Sequence, residues 1–268
     1  MIGIFDSGLG GLTALKEARL LFPKEDLVYF GDTGRVPYGT RSEETIRKYA
    51  MQDLRFLTSF PIRAAVVACG TVSTTSLPAL CEAFDLPVFG VVEGAALAAA
   101  KATKNRRVAV IGTSATVRSG AFPKAIRRAY GALTGEKEES VEIVSRACPL
   151  FVPLVENGFI EKDDPITALT CERYLSEIRA FGADTLILGC THFPIIADAI
   201  AKVLPGVTLI NTGREAARLV REKLPPIPDE RGETRFYVSD RTESFSSAAS
   251  VFLGAMPENV TRIDISNY

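Results

Sequence analysis

The sequence has 268 residues, of which 47% are hydrophobic and 24% charged, and its formal net charge is −1. That length admits one large domain or two small ones, and either can bury a sizeable core. A near-zero charge gives no global basic field for nucleic acid or an anionic membrane, and no apolar run approaches the ~20 residues of a membrane span.

In chain order the pattern alternates strand and helix. Ile2 to Phe5 reads as a first strand, closed by Asp6-Ser7-Gly8-Leu9-Gly10-Gly11. Leu12 to Leu21 has helical spacing, Leu27 to Phe30 is a second strand, and Arg41 to Phe60 a long helix. Ala64 to Ala68 is a third strand that runs into Cys69, with a helix from Leu77 to Phe84 beyond it. Its unbroken apolar run implies burial on both faces. Pro87 to Val92 is a fourth strand and Ala95 to Thr103 a small-residue helix.

The pattern then restarts. Arg107 to Ile111 is a strand ending at Gly112-Thr113-Ser114, followed by a helix from Thr116 to Tyr130. Gly131 to Ser140 reads as a surface loop, Val141 to Ser145 as a strand and residues 165–181 as a helix. Thr185 to Leu188 is the strand that leads to Cys190, with a helix from Ile195 to Leu204 after it. The tail supplies a helix at 213–223, a proline-rich turn at 225–228, a strand at 234–239, a helix near 243–253 and a strand at 260–265. Such alternation predicts α/β architecture with parallel sheets. The restart near residue 107 divides the chain into a first α/β domain, residues 1–93 plus 211–268, and a second, residues 94–210.

One stretch occurs twice. Val66-Val67-Ala68-Cys69-Gly70-Thr71 and Leu186-Ile187-Leu188-Gly189-Cys190-Thr191 each run from an apolar strand to a Cys and a Thr. Open α/β sheets bind ligands at the carboxyl ends of their strands. A following helix N-terminus favours thiolate over thiol. Two thiols at matching places therefore predict one site with a thiol on either side. Such a pair can take a proton from one face of a carbon and return one to the other. Near-attack contacts of ~3–3.5 Å on each side put the sulfurs roughly 6–7 Å apart, too far for a disulfide. Asp6 ends a strand of the same half as Cys69 and can assist it, and His192, the only His, can assist Cys190. Hydroxyls and amides at Ser7, Gly39, Thr71, Thr113 and Thr191 can receive carboxylate oxygens.

Other chemistries fit less well. Cys190 and His192 make at most half a metal site, since no second Cys/His cluster exists. Gly8-Leu9-Gly10-Gly11 does not fit G-x-G-x-x-G, since Ala14, not a glycine, follows Gly11 by three. No Lys has a Schiff-base setting, so no cofactor is expected. Asp6 can also be read as a helix cap, and Lys101, Lys104, Arg106 and Arg107 as a solvated face. Cys81, Cys148 and Cys171 read as inert small hydrophobes. Five cysteines are an odd count, too sparse for a disulfide scaffold, and the chain opens on a strand without a secretory pattern. Reduced thiols in a cytoplasm are the expectation.

The chain resembles the glutamate racemases of the cofactor-independent aspartate/glutamate racemase superfamily. The resemblance rests on Phe5-Asp6-Ser7-Gly8-Leu9-Gly10-Gly11, Tyr29-Phe30-Gly31-Asp32, Pro37-Tyr38-Gly39, Ala68-Cys69 with Thr71, Cys148-Pro149 with Glu156-Asn157-Gly158, and Leu188-Gly189-Cys190-Thr191-His192-Phe193-Pro194. It implies two doubly wound parallel-sheet domains related by a pseudo-twofold, with glutamate bound between them. It implies Cys69 and Cys190 as the acid/base pair, Asp6 and His192 as helpers and Glu156 as a further acid near His192. Substrate contacts would come from Asp6-Ser7, Tyr38-Gly39, Gly70-Thr71 and Thr191-His192. Family members supply D-glutamate for peptidoglycan, many are homodimers, and some carry an N-terminal extension that this sequence lacks. Gly70 departs from the pattern, which has Asn after the first Cys. Aspartate-type racemases differ by a Gly-rich first turn without Asp-Ser and by Glu in place of His192. A related isomerase, or a binding protein with the same shell, are the remaining readings.

Overall fold

The computed structural model describes residues 1–225, 232–240, 245–257 and 259–268. In chain order the first half comprises β1 (Ile2–Asp6), α1 (Leu12–Leu21), β2 (Leu27–Gly31), α2 (Glu43–Thr58), β3 (Ala64–Val67), α3 (Gly70–Thr75), α4 (Leu77–Ala83), β4 (Val88–Phe89) and α5 (Val92–Ala102). There follow β5 (Arg107–Gly112), α6 (Ser114–Ser119), α7 (Ala121–Thr134), β6 (Glu142–Ala147), α8 (Phe151–Glu156), α9 (Pro165–Phe181), β7 (Thr185–Leu188), α10 (Ala197–Val203) and β8 (Thr208–Asn211). The tail adds α11 (Thr212–Lys223), β9 (Thr234–Val238), α12 (Phe245–Leu253) and β10 (Val260–Arg262).

All pairings are parallel and form two sheets. One has the order β10-β9-β2-β1-β3-β4 and the other β6-β5-β7-β8. The second order is the β2-β1-β3-β4 portion of the first, shifted by four strands. This is α/β architecture with an internal repeat. In each half the chain leaves the central strand to one side and returns on the other, so β1/β3 and β5/β7 are switch points. The tail strand β9 pairs with β2 along Leu27 to Gly31.

Burial follows the sequence pattern. All four residues of β3 and all four of β7 are buried, as a strand covered on both faces requires. One apolar cluster runs through both halves, joining Ile4, Leu12 and Phe252 to Ala109, Phe151 and Phe193. Separate clusters fill the far faces, around Phe30, Leu54 and Leu57 on one sheet and Val108, Phe122 and Ile126 on the other.

Several boundaries differ from expectation for local reasons. The long second helix begins at Glu43, because the Ser42 hydroxyl caps it by accepting from the Thr45 amide. The segment expected as one helix from Thr116 is α6 and α7, broken at Gly120, whose φ of 64° is left-handed. Helix α7 then continues to Thr134, into the stretch read as loop, and stops at Gly135. Helix α8 was not expected; it is six residues long and contains Pro153. Strand β8 begins in a segment that carried no prediction. Most of the proline-rich turn at 225–228 lies outside the described residues, as does the start of the helix placed near 243–253.

Candidate active site

Both switch points deliver a cysteine. Cys69 lies two residues past the end of β3, and Cys190 two past the end of β7. Both are buried and free of disulfides. They face one cavity of about 590 Å³, a volume typical of small-molecule sites. The first half supplies Ser7, Cys69, Gly70, Thr71 and the turn Val36 to Thr40 to its wall. The second supplies Thr113, Ser114, Arg118, Cys148, Glu156 and the run Gly189 to His192.

The helix termini are shorter than the sequence implied. Cys69 is the residue before α3, a helix of six residues. After Cys190 comes a 3₁₀ turn, Phe193–Ile196, containing Pro194, and only then α10. At Cys69 the helix terminus does not prevail over burial. Burial, and next the charge of Asp6, push the Cys69 thiol up to about 12. The cost of desolvating a thiolate exceeds what one short helix returns. The thiol donates to the Ser7 hydroxyl at 3.3 Å.

Asp6 does not reach the cavity wall. It is 1% exposed, its Oδ2 accepts from the Gly8 amide at 3.0 Å, and its Oδ1 has no hydrogen-bond partner among the described residues. Burial raises its pKa, against the influence of His192 and the backbone amides of Gly11, Gly8 and Ser7. The expectation of a direct substrate contact at Asp6 is therefore replaced by a position behind the wall, electrostatically coupled to both Cys69 and His192.

On the other side, Cys190 Sγ lies 3.9 Å from His192 Nδ1, and His192 Nε2 lies 3.0 Å from Glu156 Oε1. Glu156 arrives on the last turn of α8. Burial alone would lower the His192 pKa, but the hydrogen bonds to Cys190 and Glu156 outweigh it and raise His192 to about 10. The imidazole is thus held protonated at neutral pH. Phe252 of α12 packs edge-on against it, with ring centroids 5.3 Å apart.

The glycine-rich turn after β1 serves close approach between the halves. A Cβ at Gly10 would stand 2.1 Å from Thr191 Oγ1 and 2.5 Å from His192 Nδ1. Beside it, the Thr13 hydroxyl donates to the Thr191 carbonyl at 2.9 Å. Gly70 is similar: a Cβ there would lie 2.3 Å from the Gly189 carbonyl oxygen, so the two cysteine loops meet backbone to backbone.

Hydroxyls gather between the loops. Thr71 and Thr113 are 3.1 Å apart, and Thr113 donates to Thr116 at 3.0 Å. Tyr38 also lines the cavity, but its hydroxyl is turned away from it, onto Asp32 and Asp53. Sequence reasoning missed Arg118, which shares a helix face with Ser114 four residues earlier, and it read Cys148 as inert although the buried thiol lines the wall. The spacing from Ser114 was the available signal for Arg118. Among the described residues no group of three or more His, Cys, Asp or Glu is arranged to hold a metal ion.

Comparison with known proteins places the chain in a family. Residues 15–220 match the family model described as Asp/Glu/Hydantoin racemase. A glutamate racemase of Geobacter metallireducens is 43% identical over 270 residues, covering 98% of this chain and 96% of the relative. The chain belongs to the glutamate racemase family. A crystal structure of the Thermus thermophilus glutamate racemase with β-chloro-D-alanine superposes with a TM-score of 0.86 at 41% identity, covering 100% of this chain and 98% of that one. The Francisella tularensis enzyme of the family, solved with D-glutamate, gives a TM-score of 0.89 at 35% identity and the same coverage.

Proposed function

We propose that this protein interconverts L- and D-glutamate by moving a proton at Cα between two thiols, with no cofactor. The observation that carries the reading is the pair of buried cysteines, delivered by equivalent strand ends of a repeated fold to opposite loops of one cavity. One sulfur takes the Cα proton from one face, and the electron pair left behind is delocalised into the adjacent carboxylate. The other thiol gives its proton to the opposite face, and the configuration is inverted. Asp6 assists Cys69, and His192, held by Glu156, assists Cys190. Carboxylate oxygens are received by the Ser7, Thr71, Thr113 and Thr191 hydroxyls and by the backbone at Gly39 and Gly70. Similarity to a relative solved with D-glutamate supports this substrate. D-Glutamate made this way would feed peptidoglycan synthesis in the cytoplasm, from a first domain of 1–93 plus 211–268 and a second of 94–210, assembled as a homodimer.

The test is the circular dichroism of L-glutamate incubated with purified protein, which should decay to zero as the racemate forms. A signal that never changes would reject the reading. Dialysis against a chelator should leave the rate unaltered, and loss of activity that added metal restores would overturn the cofactor-free mechanism. Gly70→Ala probes the approach of the loops. Its Cβ would meet the Gly189 carbonyl oxygen at 2.3 Å, so the loops must part. A 1 Å misplacement can cost ~10²-fold in rate, so kcat should drop by at least about tenfold. An unchanged kcat would mean that the contact does not set the thiol geometry.

A further inference from the structure

Five consecutive residues of the cavity wall, Val36 to Thr40, belong to the turn between β2 and α2. A turn this exposed to the cleft needs an anchor if it is to hold a fixed shape. The anchor lies beneath it and is buried. The Tyr38 hydroxyl donates to Asp32 Oδ2, and its oxygen lies 3.0 Å from Asp53 Oδ2. Arg35 donates through Nε to Asp32 Oδ2 at 2.5 Å, through Nη1 to Gln52 Oε1 at 2.6 Å, and through Nη2 to Asp53 Oδ1 at 2.8 Å. Its guanidinium also lies 4.1 Å over the Tyr49 ring. Both aspartates are 0% exposed.

We infer that Arg35 and Asp53 are positioning residues for glutamate: they lock the 36–40 turn so that its backbone at Tyr38 and Gly39, not the Tyr38 hydroxyl, receives a substrate carboxylate. The hydroxyl is already committed to two carboxylates and is unavailable. Gly39 completes the geometry, since a Cβ there would sit 3.4 Å from Thr113 Cβ on the opposite half, leaving the turn in contact range across the cleft. Charge supports a single locked state. Two buried carboxylates share one guanidinium, and burial together with Asp32 raises the Asp53 pKa well above the usual carboxylate range, against the pull of Arg35. An asparagine at 53 keeps the contacts to Arg35 and Tyr38 without the charge. Its oxygen accepts from Arg35, and its amide donates to the Tyr38 oxygen, which still donates to Asp32.

This inference rests on the racemase reading. Its test uses Arg35→Met and Asp53→Leu, with Asp53→Asn as the conservative variant. A binding contact made equally in ground and transition states changes KM and spares kcat. Losing one charge-assisted contact should raise KM for both enantiomers by about tenfold, with kcat within about threefold of wild type. Asp53→Asn should keep KM within about twofold. Amide hydrogen exchange across residues 36–41, measured without substrate, should accelerate in Arg35→Met and Asp53→Leu and stay at the wild-type rate in Asp53→Asn. Should Arg35→Met or Asp53→Leu fail to fold, Tyr38→Phe, which deletes only the hydroxyl, takes its place in both measurements. Faster exchange with an unchanged KM would overturn the positioning role, and so would unchanged exchange. An inactive wild-type protein would reject the racemase reading instead, while the exchange result would still judge the anchor.

Discussion

Cys69→Ser and Cys190→Ser are each expected to slow racemisation of glutamate by roughly 10³-fold, the middle of the range for a positioned general acid or base. Serine keeps the shape of the site, and each sulfur is buried, so the fold should survive with little change in melting temperature. What is lost is acidity: a hydroxyl is a far weaker acid than a thiol and yields no usable base at neutral pH. On the proposed mechanism each face of Cα has its own thiol, so neither cysteine can replace the other, and both single mutants should fall together. The wild-type enzyme gives the complementary signature in D₂O. D-Glutamate formed from L-glutamate should carry deuterium at Cα, while the remaining L-glutamate keeps hydrogen at early times. A single base serving both faces would return some of the original hydrogen to the product. Full activity in either serine mutant would sink the two-thiol mechanism.

The α/β class and the repeat were legible because they depend on features that survive in one dimension. Four-residue apolar strands ending in Cys and Thr recur in both halves, and they mark the two switch points. What was not legible depends on contacts between distant segments. The resemblance implies Asp6, at the first turn, as a substrate ligand, yet the fold buries it to 1% exposure and leaves it off the cavity lining. A Cβ at Gly11 would lie 2.4 Å from Asp6 Cβ, which shows how tightly that turn is folded. Tyr38 has a sequence position on the wall, but only the structure reveals that its hydroxyl is spoken for by Asp32 and Asp53. Helix α8 escaped notice because six residues with an internal proline carry too little periodicity, although that helix is what brings Glu156 to His192. The Gly70 departure has a steric correlate in the 2.3 Å approach to Gly189, invisible in a local motif.

His192→Asn is expected to lower kcat from L-glutamate by about 10²-fold while lowering kcat from D-glutamate by less than about tenfold, and Asp6→Asn to do the reverse. The resting protonation states motivate the asymmetry. Cys69 is pushed up to about 12 by burial and by Asp6, so it rests as a thiol ready to donate. His192 is raised to about 10, so an imidazolium stands 3.9 Å from Cys190, where it favours the thiolate that must be present before that sulfur takes the Cα proton. We propose that Cys190 serves the face from which the L-enantiomer loses its proton, as the resemblance to the glutamate racemases implies. On that assignment the resting enzyme is set for the L-to-D direction, and the reverse needs an acceptor for the Cys69 proton, the role proposed for Asp6. The equilibrium constant is unity, so kcat/KM must be equal in the two directions at every pH, and the asymmetry is confined to kcat and KM separately. The sign with pH follows from the raised His192 value. Its proton is fully present below the ordinary 6.5 and is lost as pH rises through about 10, taking with it both the assistance to Cys190 and the associated contribution to stability. The kcat from L-glutamate should accordingly fall above about pH 10 in the wild type, and this alkaline limb should vanish in His192→Asn. Progress curves started from each pure enantiomer between pH 6 and 11 decide it: equal slowing of both directions by both mutants would reject this division of labour and leave the two thiols to work without dedicated partners.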